Sequence, residues 1–195
     1  MKSFFLERVR AGLEATAQRH PLGFFLISER IHDNFVLRYH IWTENWVIPV
    51  GQESGRIHDH CYELNSLVIA GSLNQRTFNV HVSNNGAHDI FEVHYRTMNS
   101  GLFPTGLRAH IELEYDETFD VGTAYRLPAG VIHCADPLKA PTATLVLAIS
   151  IPGALPPRVL VEIGQDPPGE FNRAPLDLEE ISLLKQAILK MNLAE

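Results

Sequence analysis

The run Gly122-Thr-Ala-Tyr-Arg-Leu-Pro128-Ala-Gly130-Val-Ile-His133-Cys134 stands well downstream of Ile57-His58-Asp59-His60, and the two together decide how this chain is read. Two histidines two positions apart on a strand point to the same face. A third delivered by a Pro-Gly turn can close a three-nitrogen site around a metal. A single histidine is more often a hydrogen-bonded or surface residue, but the set at this spacing reads as a ligand set. Because they come from strands and a turn, the three can hold a metal without a mobile loop, and the turn fixes where His133 points.

Around these segments the periodicity changes twice. Residues 4 to 19 place Phe5, Leu6, Val9, Leu13 and Ala17 near helical spacing, with Ser3 as a cap and Pro21 as the stop. From about residue 23 to 151 the chain becomes short aromatic and β-branched runs separated by Gly, Asn, Asp and Pro. These are Phe35 to Trp42, Trp46 to Val50, Ser66 to Ala70, Arg76 to Val82, Ile90 to Thr97, Leu107 to Glu114, Ala124 to Leu127 and Thr142 to Ile151. So many short strands imply an all-β sandwich or barrel. After Pro152 come Pro- and Gly-rich loops, and then Asp177-Leu-Glu-Glu180 forms a capping box that opens a helix through Ile181, Leu184, Ala187, Ile188 and Met191. The expected organisation is one domain over residues 1–195: an N-terminal helix (1–22), a barrel (23–152) and C-terminal loops with a helix (153–195). No internal repeat or low-complexity segment interrupts it.

Composition narrows the contexts. The chain has 195 residues, 45% hydrophobic and 20% charged, as in ordinary soluble domains. The net charge of -7 and the scattered lysines and arginines speak against nucleic-acid binding. Charges interrupt the apolar N-terminus within a few residues, so it is neither a signal sequence nor a membrane span, and a cytoplasmic location is expected. The two cysteines, Cys61 and Cys134, form no CxxC pair. Each follows a proposed ligand, so strand alternation turns both away from the metal.

The downstream segment resembles the second characteristic motif of the cupin superfamily through Gly122, Pro128, Gly130 and His133. The upstream segment resembles the first motif through His58, His60 and Gly71, with the leading glycine approximated by Gly51. The resemblance implies a double-stranded β-helix, or jelly-roll barrel, flanked here by the two helices, with a metal-capable pocket in its mouth. It also implies association through sheet faces or terminal arms, so a homodimer is expected and the apolar N-terminal helix could serve it. In the commonest cupin spacing the motif's glutamate falls on Leu64. Glu63 is one residue away, and in a regular strand it faces away from His58 and His60. A β-bulge would turn it back as a fourth ligand, and both readings stay open.

The three-histidine alternative resembles the thiol dioxygenases, of which cysteine dioxygenase is the best known. Phe35-Val-Leu-Arg-Tyr-His-Ile-Trp42, a polar loop and Ile57-His-Asp-His60 look like the corresponding part of that family. The family's Ser-x-His-x-Tyr element would fall in or beside the apolar Leu145–Ile149, and its thioether cysteine is Leu64 here. The resemblance therefore implies the same metal chemistry on a substrate other than cysteine. Three neutral imidazoles hold Fe(II) and leave positions open for a small thiol- or carboxylate-bearing substrate and dioxygen; Zn, Mn, Ni or Cu also suit such ligands. A non-redox isomerase or lyase and a non-catalytic small-molecule-binding cupin are the alternatives.

Arg38, His40 and Trp42 share one face of a strand, and Tyr62 has the parity of the ligands. If that face points inward, Arg38 can bind a carboxylate bidentately; otherwise it is a solvated surface arginine. Arg30 is a second carboxylate candidate, since the substrate arginine of thiol dioxygenases also precedes this strand. Tyr125 is a candidate proton donor.

Overall fold

The computed structural model describes residues 2–13, 16–96, 99–172 and 174–191. Helix α1 (Lys2–Gly12) leads into strands β1 (Gln18–Arg19), β2 (Phe25–His32), β3 (Phe35–Trp42), β4 (Tyr62–Val82), β5 (His88–Tyr95) and β6 (Asn99–Asp120). Strands β7 (Ala124–Leu127), β8 (Ile132–Ser150), β9 (Arg158–Glu162) and β10 (Phe171–Asn172) follow, and helix α2 (Leu178–Lys190) comes last. The strands form one antiparallel sheet in the order β1-β2-β3-β8-β4-β6-β5-β9, with β7 on β4 and β10 on β6. The sheet curls into a half-barrel, so the all-β expectation with two terminal helices holds.

Alternation along β3 shows how the layers arise. Tyr39 and Ile41 point outward and are fully buried beneath α1 and α2, together with Phe5, Val9, Leu184 and Ile188. Arg38, His40 and Trp42 point inward. Inside the curl, Trp42, Leu73, Leu64, Leu127 and Val146 fill the space beneath the histidines. A sheet buried on both faces needs apolar residues at both parities, and β3 supplies them except where Arg38 and His40 intervene.

Strand β4 is the spine. It pairs with β8 along one edge and with β7 and then β6 along the other. The separate runs Ser66–Ala70 and Arg76–Val82 are two halves of this strand, joined through Gly71 at φ 69°. A Cβ at Gly71 would lie 2.3 Å from the Lys139 carbonyl oxygen and from Thr142 Oγ1. The pairing to β8 slips between Val68 and Leu73, so a bulge bends the strand instead of ending it. Similarly, β6 and β8 extend well beyond the runs expected within them.

Several expectations are corrected. The N-terminal helix ends at Gly12, a poor helix former, and Gln18 and Arg19 pair with β2 instead; residues 14 and 15 of the expected helix lie outside the described residues. Trp46–Val50 is a loop, tied down by Trp46 Nε1 donating to the Leu22 carbonyl (2.8 Å). Strand β5 ends at Tyr95, and the expected end at Thr97 lies outside the described residues. Strands β2, β9 and the short β10 are additions. The capping box forms as expected: Glu180 N–H donates to Asp177 Oδ1 (2.8 Å), and Asp177 N–H donates to Glu180 Oε2 (3.2 Å).

Two further features bear on association. The apolar face of α1, the candidate pairing arm, is spent inside its own chain, where Phe5 and Val9 are fully buried. In β6, residues 110–120 have β4 along one edge and no strand along the other among the described residues. Among those residues, no helix is long and apolar enough to cross a membrane.

Candidate metal centre

His58 and His60 lie just before β4, in an extended stretch clamped between two neighbours and not within a regular strand. His58 N–H donates to the His133 carbonyl (3.0 Å), and His133 N–H returns the bond (2.8 Å). On the other side Asp59 N–H donates to the Arg158 carbonyl (3.0 Å) and Leu160 N–H to that of Ile57 (2.9 Å). Gly130 N–H donates to the His60 carbonyl (2.9 Å), so the Pro128–Gly130 turn is fastened to the second histidine directly. Gly130 has φ 77°, a conformation glycine adopts freely.

These ties bring the three imidazoles together, with one ligand atom from each lying within 4.8 Å of the others. Ring centroids are 4.6 Å apart for His58 and His133, 4.9 Å for His58 and His60, and 5.1 Å for His60 and His133. Nδ1 of His58 lies 3.0 Å from the Arg56 carbonyl, and Nδ1 of His133 lies 3.0 Å from that of Val131. A carbonyl only accepts, so each Nδ1 carries the proton and each Nε2 keeps its lone pair for a metal. Burial disfavours the imidazolium at all three positions. It holds His133 at about 3, with His58 adding to the effect, and lowers His58; His60 is pushed well below the usual range by burial and by its two companions. Neutral imidazole is the ligating form, so the group fits a divalent cation at neutral pH.

Glu63, the candidate fourth ligand, lies outside this group. β4 has begun by residue 62, its alternation turns Glu63 outward, and the carboxylate is engaged by Asn65 Nδ2 (2.9 Å) and by Arg126. Those bonds, the Arg126 one foremost, hold its carboxyl below the ordinary range. The slips in β4 pairing begin only after Val68, too late to turn Glu63 back.

Tyr62 lies on the histidine side as its parity requires, stacked on the His60 ring at 4.8 Å and 13°. Its hydroxyl accepts from Arg38 Nη1, and the guanidinium carbon stands 4.3 Å from the ring centroid. Arg38 faces inward and lines both cavities. Among the described half-buried arginines, Arg8, Arg19, Arg56, Arg76 and Arg158 each face a carboxylate, whereas Arg38 faces none. Arg30 is exposed near the β2–β3 turn, 3.5 Å from the Asp33 carbonyl, and does not line the cavity. The bulge between Arg30 and His32 and the hairpin's reach carry it away. Tyr125 stacks on Phe119 (4.4 Å, 5°), and burial holds its phenol protonated despite the Ser66 hydrogen bond.

Two cavities meet at this wall. An outer one of about 430 Å³ is bounded by His58, His60, Arg38 and Tyr62 at one end. An inner one of about 60 Å³ adds His133, His40 and Tyr125. Cys61 also lines the outer cavity, contrary to simple alternation, because residues 58–61 precede the regular strand. Cys134 is buried and turned away as expected; burial raises its thiol pKa.

The motif reading does not mark the brace behind the ligands. Asp59 is 3% exposed, and its carboxylate accepts from Arg158 N–H (2.5 Å) and Nε (2.8 Å). Arg158 Nη2 continues to the Gly130 carbonyl (3.1 Å), joining both ligand-bearing segments. The acid between two histidines is the sequence signal, but its partner lies in β9, which no motif announces. His20, on the outer cavity wall, likewise carries no sequence signal.

No family model matches the chain, and no curated protein matches it. Among solved structures it is similar to an oxalate decarboxylase variant from Bacillus subtilis, at 14% identity and TM-score 0.42, over 71% of this chain and 28% of that one. A structure described as bearing on the mechanism of oxalate oxidase has 13% identity and TM-score 0.40, over 87% and 74%. E. coli YcfD has 13% identity and TM-score 0.34, over 95% and 59%. The chain thus spans 28% of the first protein's length. At such identities and TM-scores the likeness carries no argument, and the chemistry rests on this chain's own residues.

Proposed function

We propose that this chain is a metal-dependent cupin, a mononuclear non-heme Fe(II) dioxygenase that acts on a small thiol- or carboxylate-bearing molecule. The observation that carries the reading is the convergence of three neutral imidazoles, with Glu63 turned away and a cavity on their open side. His58, His60 and His133 would hold the ion. With three protein ligands, a bound Fe(II) offers open positions to substrate and dioxygen. Arg38 would hold the substrate carboxylate, a group it does not meet among the described residues, and Tyr62 keeps the guanidinium aimed and the His60 ring in place. Tyr125 keeps its proton at neutral pH, so a contribution from it would be as a hydrogen-bond donor.

The test is elemental analysis of protein purified under nitrogen, followed by oxygen uptake with candidate thiols and carboxylates. Iron near one equivalent and substrate-dependent uptake are expected. Turnover without oxygen consumption would instead favour an isomerase or lyase, possible with Zn, Mn or Ni. Stoichiometric binding without turnover would favour a small-molecule-binding role.

A further inference from the structure

The outer cavity is larger than a small acid needs. At about 430 Å³ it falls in the range of pockets that enclose drug-sized ligands, roughly 300–1,000 Å³. Its wall also changes character along its length. At the metal end His58, His60 and Arg38 stand with Leu22 and Val159; Val93, Leu102 and Phe171, on the neighbouring strands β5, β6 and β10, form an apolar stretch bordered by Tyr95 and Ser100. Arg96, exposed and paired with Glu170 at 3.5 Å, marks the rim. The segment ahead of β10 covers one side and is pinned there: Ser54 Oγ donates to the Asp166 carbonyl (2.7 Å) and Gln52 Nε2 to that of Gly169 (3.2 Å). The only carboxylate on the wall, among the described residues, is Asp59, and Arg158 occupies it. An ammonium group would therefore find no carboxylate counter-ion on the wall, whereas an anion finds Arg38.

We infer that the substrate is an amphiphilic carboxylate, with its acid group on Arg38 and an apolar alkyl or aryl tail lying along the Val93–Leu102–Phe171 wall toward the rim. This deepens the proposed function and rests on its placement of the carboxylate. Burying the tail supplies binding that a two- or three-carbon acid cannot, about threefold to fourfold per methylene. The apolar stretch disfavours a charged group at the tail position, where an ammonium would be desolvated against Val93 and Leu102.

Calorimetry on the full chain under nitrogen tests this, with propanoate, octanoate, 3-phenylpropanoate and 3-phenylpropanamide as probes. Octanoate and 3-phenylpropanoate should bind at least about tenfold more tightly than propanoate, and the neutral amide at least about tenfold more weakly than its acid. Leu102→Trp, which fills the wall, should reduce octanoate binding to the level of propanoate while leaving propanoate unchanged. Acids binding within threefold of one another, or an amide as tight as its acid, would overturn the inference; the series on the unmodified chain decides this even if the tryptophan variant does not fold. Metal content measured on the same samples separates the two readings. Tail-dependent binding by protein that takes up no metal sinks the dioxygenase alone, and metal uptake without tail dependence sinks the amphiphile alone.

Discussion

Asp59 shows how much of a metal site can reside in a residue that touches no metal. It is desolvated, and its charge is answered by Arg158, which also grips the turn carrying the third ligand. Asp59→Asn keeps the shape and removes the charge. We expect metal affinity to fall about 10- to 100-fold, as when partners behind a ligand are lost, with a lower melting temperature; metal titration and thermal scans check both. Glu63→Gln should leave metal stoichiometry and affinity unchanged, because its carboxylate is spent on Arg126 and Asn65; a drop in bound metal would restore the four-ligand site. At this scale the sequence was legible wherever parity governs. His58, His60 and Tyr62 share a side, and Glu63 does not. Cys61 escaped because alternation is a property of regular strands, and its segment is clamped by isolated bridges. Arg158 escaped because an ion pair across the fold leaves no local pattern.

Among the elements, β4 carries the most consequence per residue. Gly71 sits where β8 comes so close that a side chain has no room. Gly71→Ala combines a positive φ with a backbone clash, and should cost about 1–3 kcal/mol or more, read as a shift in the denaturation midpoint with unchanged slope. The motif matched this glycine, while its physical role, bending one long strand, cannot be seen from residue types alone. That is why two short runs stood in for β4. Strand β3 makes a different prediction. Burial and then Arg38 lower the His40 pKa to about 3, against 6.5 for a free side chain. Between those values the unfolded chain binds a proton that the folded one refuses, so His40 makes stability fall as pH drops from about 6.5 toward 3. His58, His60 and His133 contribute with the same sign. Removing one titrating group, as in His40→Gln, should make the melting temperature of metal-free protein less steep between pH 6 and 4.

Over the whole molecule, the helices pack on the outer face of the sheet and the cavity lies on the other side. The broad architecture was readable because a two-residue period, turn residues and a capping box all agree. The curl, the order of the strands and the contribution of β9 depend on long-range pairing that no window of sequence contains. The free edge of β6 is the part of that pairing left unfinished. Residues 110–120 expose backbone donors and acceptors along a row that carries Glu112, Glu114, Asp116, Glu117 and Asp120. A second copy docking antiparallel would bring like charges face to face about 4.8 Å apart, a strong deterrent at physiological ionic strength, where charges are felt over about 8 Å. Glu112→Thr with Glu114→Thr should therefore produce concentration-dependent self-association by sedimentation velocity beyond any shown by the parent chain. The protection lasts only while the solvent leaves these charges unscreened. At 1 M salt, where screening shortens the reach to about 3 Å, the parent's own edges should begin to find one another, so this protein's colloidal behaviour is tuned by salt as much as by its fold.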